Sequence, residues 1–172
     1  MKGNMSKNIL WLFAIVVAAL LQTTWPDILK WGGVLPDLPL LLVVYFAAAE
    51  GEERAMFTGL IGGIYQDVAS NSVLGHHVFC LVAVAYAIGR LSTRLITDHP
   101  AVKAGMVFIG ALLCGTLFIL IRYIQQPASG AIYPFLTSVI PGAFYTSILT
   151  PFVFAPMGWL FHQKKALSGG IA

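Results

Sequence analysis

Residues 8–26 contain no Asp, Glu, Lys or Arg, and uncharged stretches of similar length return at 68–89 and 104–121. A chain that repeatedly runs this far without a charge must set its segments in hydrocarbon or against one another. Composition agrees, since 58% of the residues are hydrophobic, only 10% are charged and the mean hydropathy is +0.83, whereas soluble domains carry roughly 25% charged residues. The sequence therefore predicts an all-α, polytopic membrane protein. One integral membrane domain over 1–172 is expected, with six transmembrane helices at 9–26, 37–50, 54–69, 73–93, 104–123 and 136–161. The net charge of +3 comes from residues flanking these spans rather than from a basic run, so nucleic acid is not an expected partner and the lipid bilayer is.

Lys2 and Lys7 precede the first apolar core, 9–21, which has no small-x-small cleavage pattern behind it. That segment reads as a first helix rather than a signal peptide, leaving the membrane near Trp25 and Pro26. The second and third spans are short, which suggests tilted or partly buried helices, with 31–36 supplying some of the membrane depth. Ser70, Asn71 and Ser72 mark a turn, and residues 125–130 a loop. Pro141, Pro151 and Pro156 interrupt the sixth span and imply kinks or a late start. With six spans and the N-terminus inside, Lys2, Lys7, Arg54, Arg90, Arg94, Lys103, Lys164 and Lys165 fall on the inner side, leaving Lys30 and Arg122 outside. That asymmetry predicts cytoplasmic termini.

The stretch 36–67 concentrates the distinctive residues: Pro36 and Asp37, a charged break of Glu50, Glu52, Glu53 and Arg54, then a glycine-rich segment ending on Asp67. At about 100° per residue, Ala55, Gly62, Gly63, Gln66 and Asp67 fall near Gly59, while Phe57, Leu60, Ile61, Ile64 and Val68 take the other side. In a membrane the small face should meet another helix and the oily face lipid. The Gly59/Gly63 spacing signals close packing and is also compatible with a homodimer. Asp67, near the outer end of its span, is either solvated there or bonded to another helix or a partner; the sequence leaves both open. Asp37, flanked by prolines, suits an N-cap of the second helix. The three glutamates read as a solvated turn, and Ala14/Ala18 as an ordinary alanine pair.

No HExxH, GxSxG or GxxxxGK[ST] motif occurs, so no catalytic, cofactor or metal residue is assigned. Cys80 and Cys114 read as small buried hydrophobes. His76 and His77 point about 100° apart on a helix, too far to clamp one ion, and are expected in the outer headgroup region.

The order of residues through this region resembles the rod shape-determining protein MreD family: Pro36-Asp37-Leu38 opening a span, Gly59 and Gly63 leading to Asp67, then Leu74-Gly75. The specific part covers 36–79, and the His76-His77 pair departs from the polar-then-small residues expected after Gly75. The resemblance implies a non-enzymatic scaffold subunit of the bacterial cell-elongation complex in the inner membrane. Its implied partners are an MreC-like membrane protein, an MreB-like cytoskeletal protein, a RodA-type polymerase and a penicillin-binding transpeptidase, acting in lateral peptidoglycan synthesis. It also implies a fold similar to the six-helix S components of energy-coupling-factor transporters. Pro36, Asp37, Gly59, Gly62, Gly63, Asp67 and Gly75 are then the expected helix-packing or partner-binding residues. The alternative is a vitamin-like solute-binding subunit of a transporter, with an outer pocket lined by Asp67, His76 or Tyr65.

Overall fold

The computed structural model describes residues 2–24, 26, 30, 34–70, 75–94, 99–126 and 132–168, with the side chains of 2–6 and 162–168 excluded. Trp25, residues 31–33, Asn71, Ser72, Leu74, residues 127–130 and the side chains of Lys2, Lys164 and Lys165 thus lie outside the described set. The elements among the described residues are all helices, with no strand: α1 (Lys2–Thr23), α2 (Leu38–Ala49), α3 (Glu52–Ala69), α4 (His76–Ser92), α5 (Pro100–Gln125) and α6, a continuous run built from Ile132–Pro134, Phe135–Val139 and Ile140–Ser168. Pro100–Gln125 and Ile132–Phe161 are long and apolar enough to cross a membrane, while α2 and α4 are shorter apolar helices.

The core is organised around α2. Its sequence is apolar on every side, a pattern that only a helix surrounded by protein or lipid can sustain. Leu38 through Ala47 are buried, packed by Cys80, Leu81, Val84 and Ile88 of α4 and by Met106 and Val107 of α5. Tyr45 and Phe46 meet Phe154 and Phe161 of α6 edge-on, with ring centroids 5.3 Å apart in the pairs Tyr45–Phe154 and Phe46–Phe161. At 12 residues, α2 is about 18 Å long, well short of the roughly 30 Å of a hydrocarbon core. Its flanks are completed by neighbouring helices instead.

Helix α3 lays its small residues inward. Ala55, Thr58, Gly59, Gly62, Gly63 and Asp67 are buried, whereas Phe57 and Val68 are 60% and 63% exposed and Leu60 and Ile64 also face out. The α3–α4 contact is antiparallel and very close. A Cβ on Gly63 would lie 2.5 Å from Val78 Cα, one on Gly59 3.0 Å from the Leu81 backbone, and one on Gly89 2.6 Å from Glu52 Cβ. Gly62 instead faces α2, where Pro39 lies 3.2 Å from its missing Cβ. Ala14 and Ala18 are also buried.

At one end of the bundle, Gly51 takes φ 97° and turns α2 into α3. Around it Arg54 pairs with Glu50 (3.0 Å), bonds Asn8 of α1 (2.7 Å) and lies over Trp11, while Arg90 of α4 pairs with Glu52 (3.2 Å). The acidic turn expected to be merely solvated is therefore tied to α1 and α4. Two helix boundaries also differ from the expected spans for a visible reason. Pro100 occupies the first turn of α5, where its missing N–H costs nothing, and His99 Nδ1 accepts from Ala101 N (3.3 Å), so the helix starts before the charged Lys103. In α6 the chain widens to a π-helix over Phe135–Val139, with Ile140 N–H donating to Phe135 O, immediately before Pro141, which has no N–H to offer. Pro151 and Pro156 lie within the helix that follows.

Replacing Gly63 by Ala should push α3 from α4 and cost about 1–3 kcal/mol, because the contact at 2.5 Å is with backbone and cannot rotate away. Gly105→Ala, with nothing within 4 Å of its added Cβ, should instead gain about 0.5–1 kcal/mol. Thermal unfolding of the two detergent-solubilised variants, compared with the unaltered protein, checks both signs.

Candidate functional site

At the end of the bundle opposite Gly51, polar side chains join all six helices around a cavity. The first knot forms where the chain enters α2. Asp37 has extended backbone angles and its Oδ1 accepts from Leu40 N (3.0 Å), the capping bond expected of an aspartate before a proline-containing first turn. The same oxygen accepts from Gln66 Nε2 of α3 (2.8 Å), and Asp37 N donates to Thr146 Oγ1 of α6 (3.1 Å). From α1, Gln22 closes the knot, donating to Pro36 O (2.8 Å) and accepting from Leu38 N (3.0 Å). Nearby, Tyr65 and Thr23 share a 3.1 Å hydroxyl contact.

The second knot forms where α4 begins. Gly75 holds φ 105° as the N-cap and has no side chain with which to cap. Asp67 of α3 does so in its place: Oδ2 accepts from Gly75 N (2.7 Å), and Oδ1 accepts from His77 N and His77 Nδ1 (both 2.9 Å). The Asp67 side chain is completely buried, so three donors and the positive end of a helix take the place of water around it. His77 then packs on Phe118 of α5 with ring centroids 4.6 Å apart, and His76 meets Gln125 Nε2 through its own Nε2 at 2.9 Å. Of the two readings left open for Asp67, the bonded one describes its position, with the partner supplied by this chain. Both histidines take part in this network.

The expected packing residues thus divide into two groups. Pro36, Asp37, Asp67 and Gly75 sit in the polar network, and Gly59, Gly62 and Gly63 face neighbouring helices further along α3. Gln22 and Thr146 were not singled out, and Gln66 and His77 were named only for the small face of α3 and for the headgroup region, not as bonding partners. Only their partners, up to 109 positions away in sequence, reveal them.

Inside this ring lies a cavity of about 460 Å³, reached by Asp37 and Leu40 of α2, His77 of α4, Phe118 and Arg122 of α5 and Thr146 of α6. Asp67, His76 and Tyr65, the residues expected around an outer pocket, are not among those lining it. Cys80 and Cys114 are buried free thiols.

The sequence model of a family described as rod shape-determining protein MreD matches residues 4–164 of the chain. No curated protein and no solved structure matches it.

Replacing Asp67 by Asn keeps the volume but removes the charge and sets an amide beside backbone donors. The variant should lose about 1–3 kcal/mol of stability. Asp37→Asn should lose less, since asparagine caps helices about as well as aspartate. Denaturant titration in detergent measures the two losses, and hydrogen exchange at His77 N–H should accelerate in the Asp67 variant alone.

Proposed function

The chain belongs to the rod shape-determining protein MreD family, and from that membership we propose that it is a multi-pass, non-enzymatic scaffold subunit of the cell-elongation complex in the bacterial inner membrane. In this role it holds an MreC-like membrane protein and, through it, an MreB-like cytoskeletal protein beside a RodA-type polymerase and a penicillin-binding transpeptidase. Lateral peptidoglycan synthesis is thereby directed and the rod shape kept.

The observation that carries the proposal is the inverted division of α3. Its glycines and its acid are used up inside the protein, while Phe57, Leu60, Ile64 and Val68 are turned outward. In water this arrangement would expose apolar surface at a continuous cost. Against hydrocarbon or a partner's apolar helix it presents the matching surface. The outward side chains Ile9, Phe13 and Val16 of α1 and Ile148 and Phe152 of α6 repeat the pattern. Internal carboxylates and glycines fix the frame, and the surface left for partners is apolar.

We place both termini in the cytoplasm. Arg54, bonded to Asn8 of α1, and Arg90 gather at the Gly51 end, and Phe161 of α6 meets Phe46 of the same region edge-on. Basic residues mark the cytoplasmic side of a bilayer. The six described helices also support an architecture like that of the six-helix S components.

Depleting the protein in a rod-shaped host should convert rods to spheres, and a tagged copy should capture an MreC-like protein from gently solubilised membranes. Cells that stay rod-shaped while the tagged copy captures no such protein would sink the scaffold role.

A further inference from the structure

Arg122 lies three residues before the end of α5 and makes no ion pair or hydrogen bond with the described residues. It lines the 460 Å³ cavity together with Asp37. Asp37 commits Oδ1 to Leu40 N and Gln66 Nε2, and its Oδ2 has no hydrogen-bond partner among the described residues. Two groups of opposite charge therefore share one cavity without pairing with each other. Arg122 is exposed and Asp37 part-buried at the cavity wall, so a charged group entering the cavity can reach both. A ligand that carries both an anion and an amine answers both. A purely anionic ligand would satisfy Arg122 and meet Asp37 as a like charge.

The cavity has an apolar annex. A second cavity of about 330 Å³ lies between α5 and the start of α6, where Leu120, Ile132, Phe135 and Leu136 line it. Ile119 and Tyr123 line both spaces, so the two share a wall. Leu120, Ile132 and Leu136 are exposed on the outer surface of the bundle, so the annex opens where hydrocarbon would lie. The π-helical segment Phe135–Val139 also touches both, with Phe135 and Leu136 in the annex and Ser138 and Val139 in the first cavity. A wound-out turn of this kind re-aims side chains where a regular helix would close the gap.

We propose that these two spaces form one binding site for an amine-bearing zwitterionic phospholipid. The phosphate pairs with the Arg122 guanidinium, the ammonium donates to Asp37 Oδ2, and an acyl chain lies along Leu120, Ile132 and Leu136. Thr146 is already engaged with Gly142 O and Asp37 N and contributes shape to the cavity wall. This inference shares with the scaffold role only the placement in a membrane, so loss of lipid binding leaves that role standing.

The test is native mass spectrometry of the purified full chain, offered phosphatidylethanolamine and phosphatidylglycerol of matched chains in equal amounts. The unaltered protein should retain the ethanolamine lipid about tenfold more than the glycerol lipid. Asp37→Asn, which keeps the helix cap, should bring the two near parity, and Arg122→Gln should lose both. Glycerophosphoethanolamine, which has the headgroup and no chains, should leave no adduct. Equal retention of both lipids by the unaltered protein would overturn the proposal. So would undiminished ethanolamine-lipid binding by Arg122→Gln, an exposed position whose change leaves the fold intact. Retention of the chainless headgroup would overturn the lipid assignment in favour of a soluble ligand.

Discussion

The carboxylate of Asp67 is the interaction on which the end of this bundle opposite Gly51 depends. An acid in a membrane helix costs about 2.5–3.5 kcal/mol at mid-bilayer, and a buried one without partners costs more. Here its oxygens take the first amides of α4 at 2.7 and 2.9 Å and the His77 ring at 2.9 Å. Hydrogen bonds to a charged group are worth about 1.5–3 kcal/mol each, so the bonds win over the burial. The consequence is positional. Tying the end of α3 to the start of α4 sets the register in which Gly63 meets Val78 and Gly59 meets Leu81, and it turns His77 toward α5.

Asp37 works similarly on the neighbouring helix, capping α2 while joining α3 and α6. Between them the two acids explain how a bundle with few charges acquires a defined arrangement. Packing between apolar helices in hydrocarbon gains little from the hydrophobic effect, so close glycine contacts and a few polar bonds must select the arrangement. Large apolar side chains are consequently free to face outward, as they do on α1, α3 and α6. The buried centre, α2, needs no polar face because protein surrounds it.

Much of this was legible in the sequence where the signal is local. The 3.6-residue period separated Gly59, Gly62, Gly63 and Asp67 from Phe57, Leu60, Ile61, Ile64 and Val68, and the faces of α3 divide along that line except at Ile61, which is partly buried against the core. The cap at Asp37 follows from residue type and neighbouring prolines. What was not legible depends on distant partners. Gly89 matters because Glu52 comes within 2.6 Å of where its Cβ would be, and Gln22 matters because residues 36 and 38 pass beside it. The bond from His77 to Asp67 was not legible because the sequence does not say which donor Asp67 will choose. The early start of α5 was hidden by a proline that breaks helices in their interior and favours them in their first turn.

The central claim is that α3 turns its oily side to hydrocarbon and keeps its acid within the protein. Nitroxide labels at Phe57, Leu60, Ile64 and Val68, placed one at a time in protein reconstituted into bilayers, measure it directly. Strong relaxation by lipid-soluble oxygen and weak relaxation by a water-soluble nickel chelate at Leu60 and Ile64, with Arg94 as the aqueous reference, is the expected result. Strong nickel relaxation at these positions, or protection from both agents in the isolated protein, would contradict it.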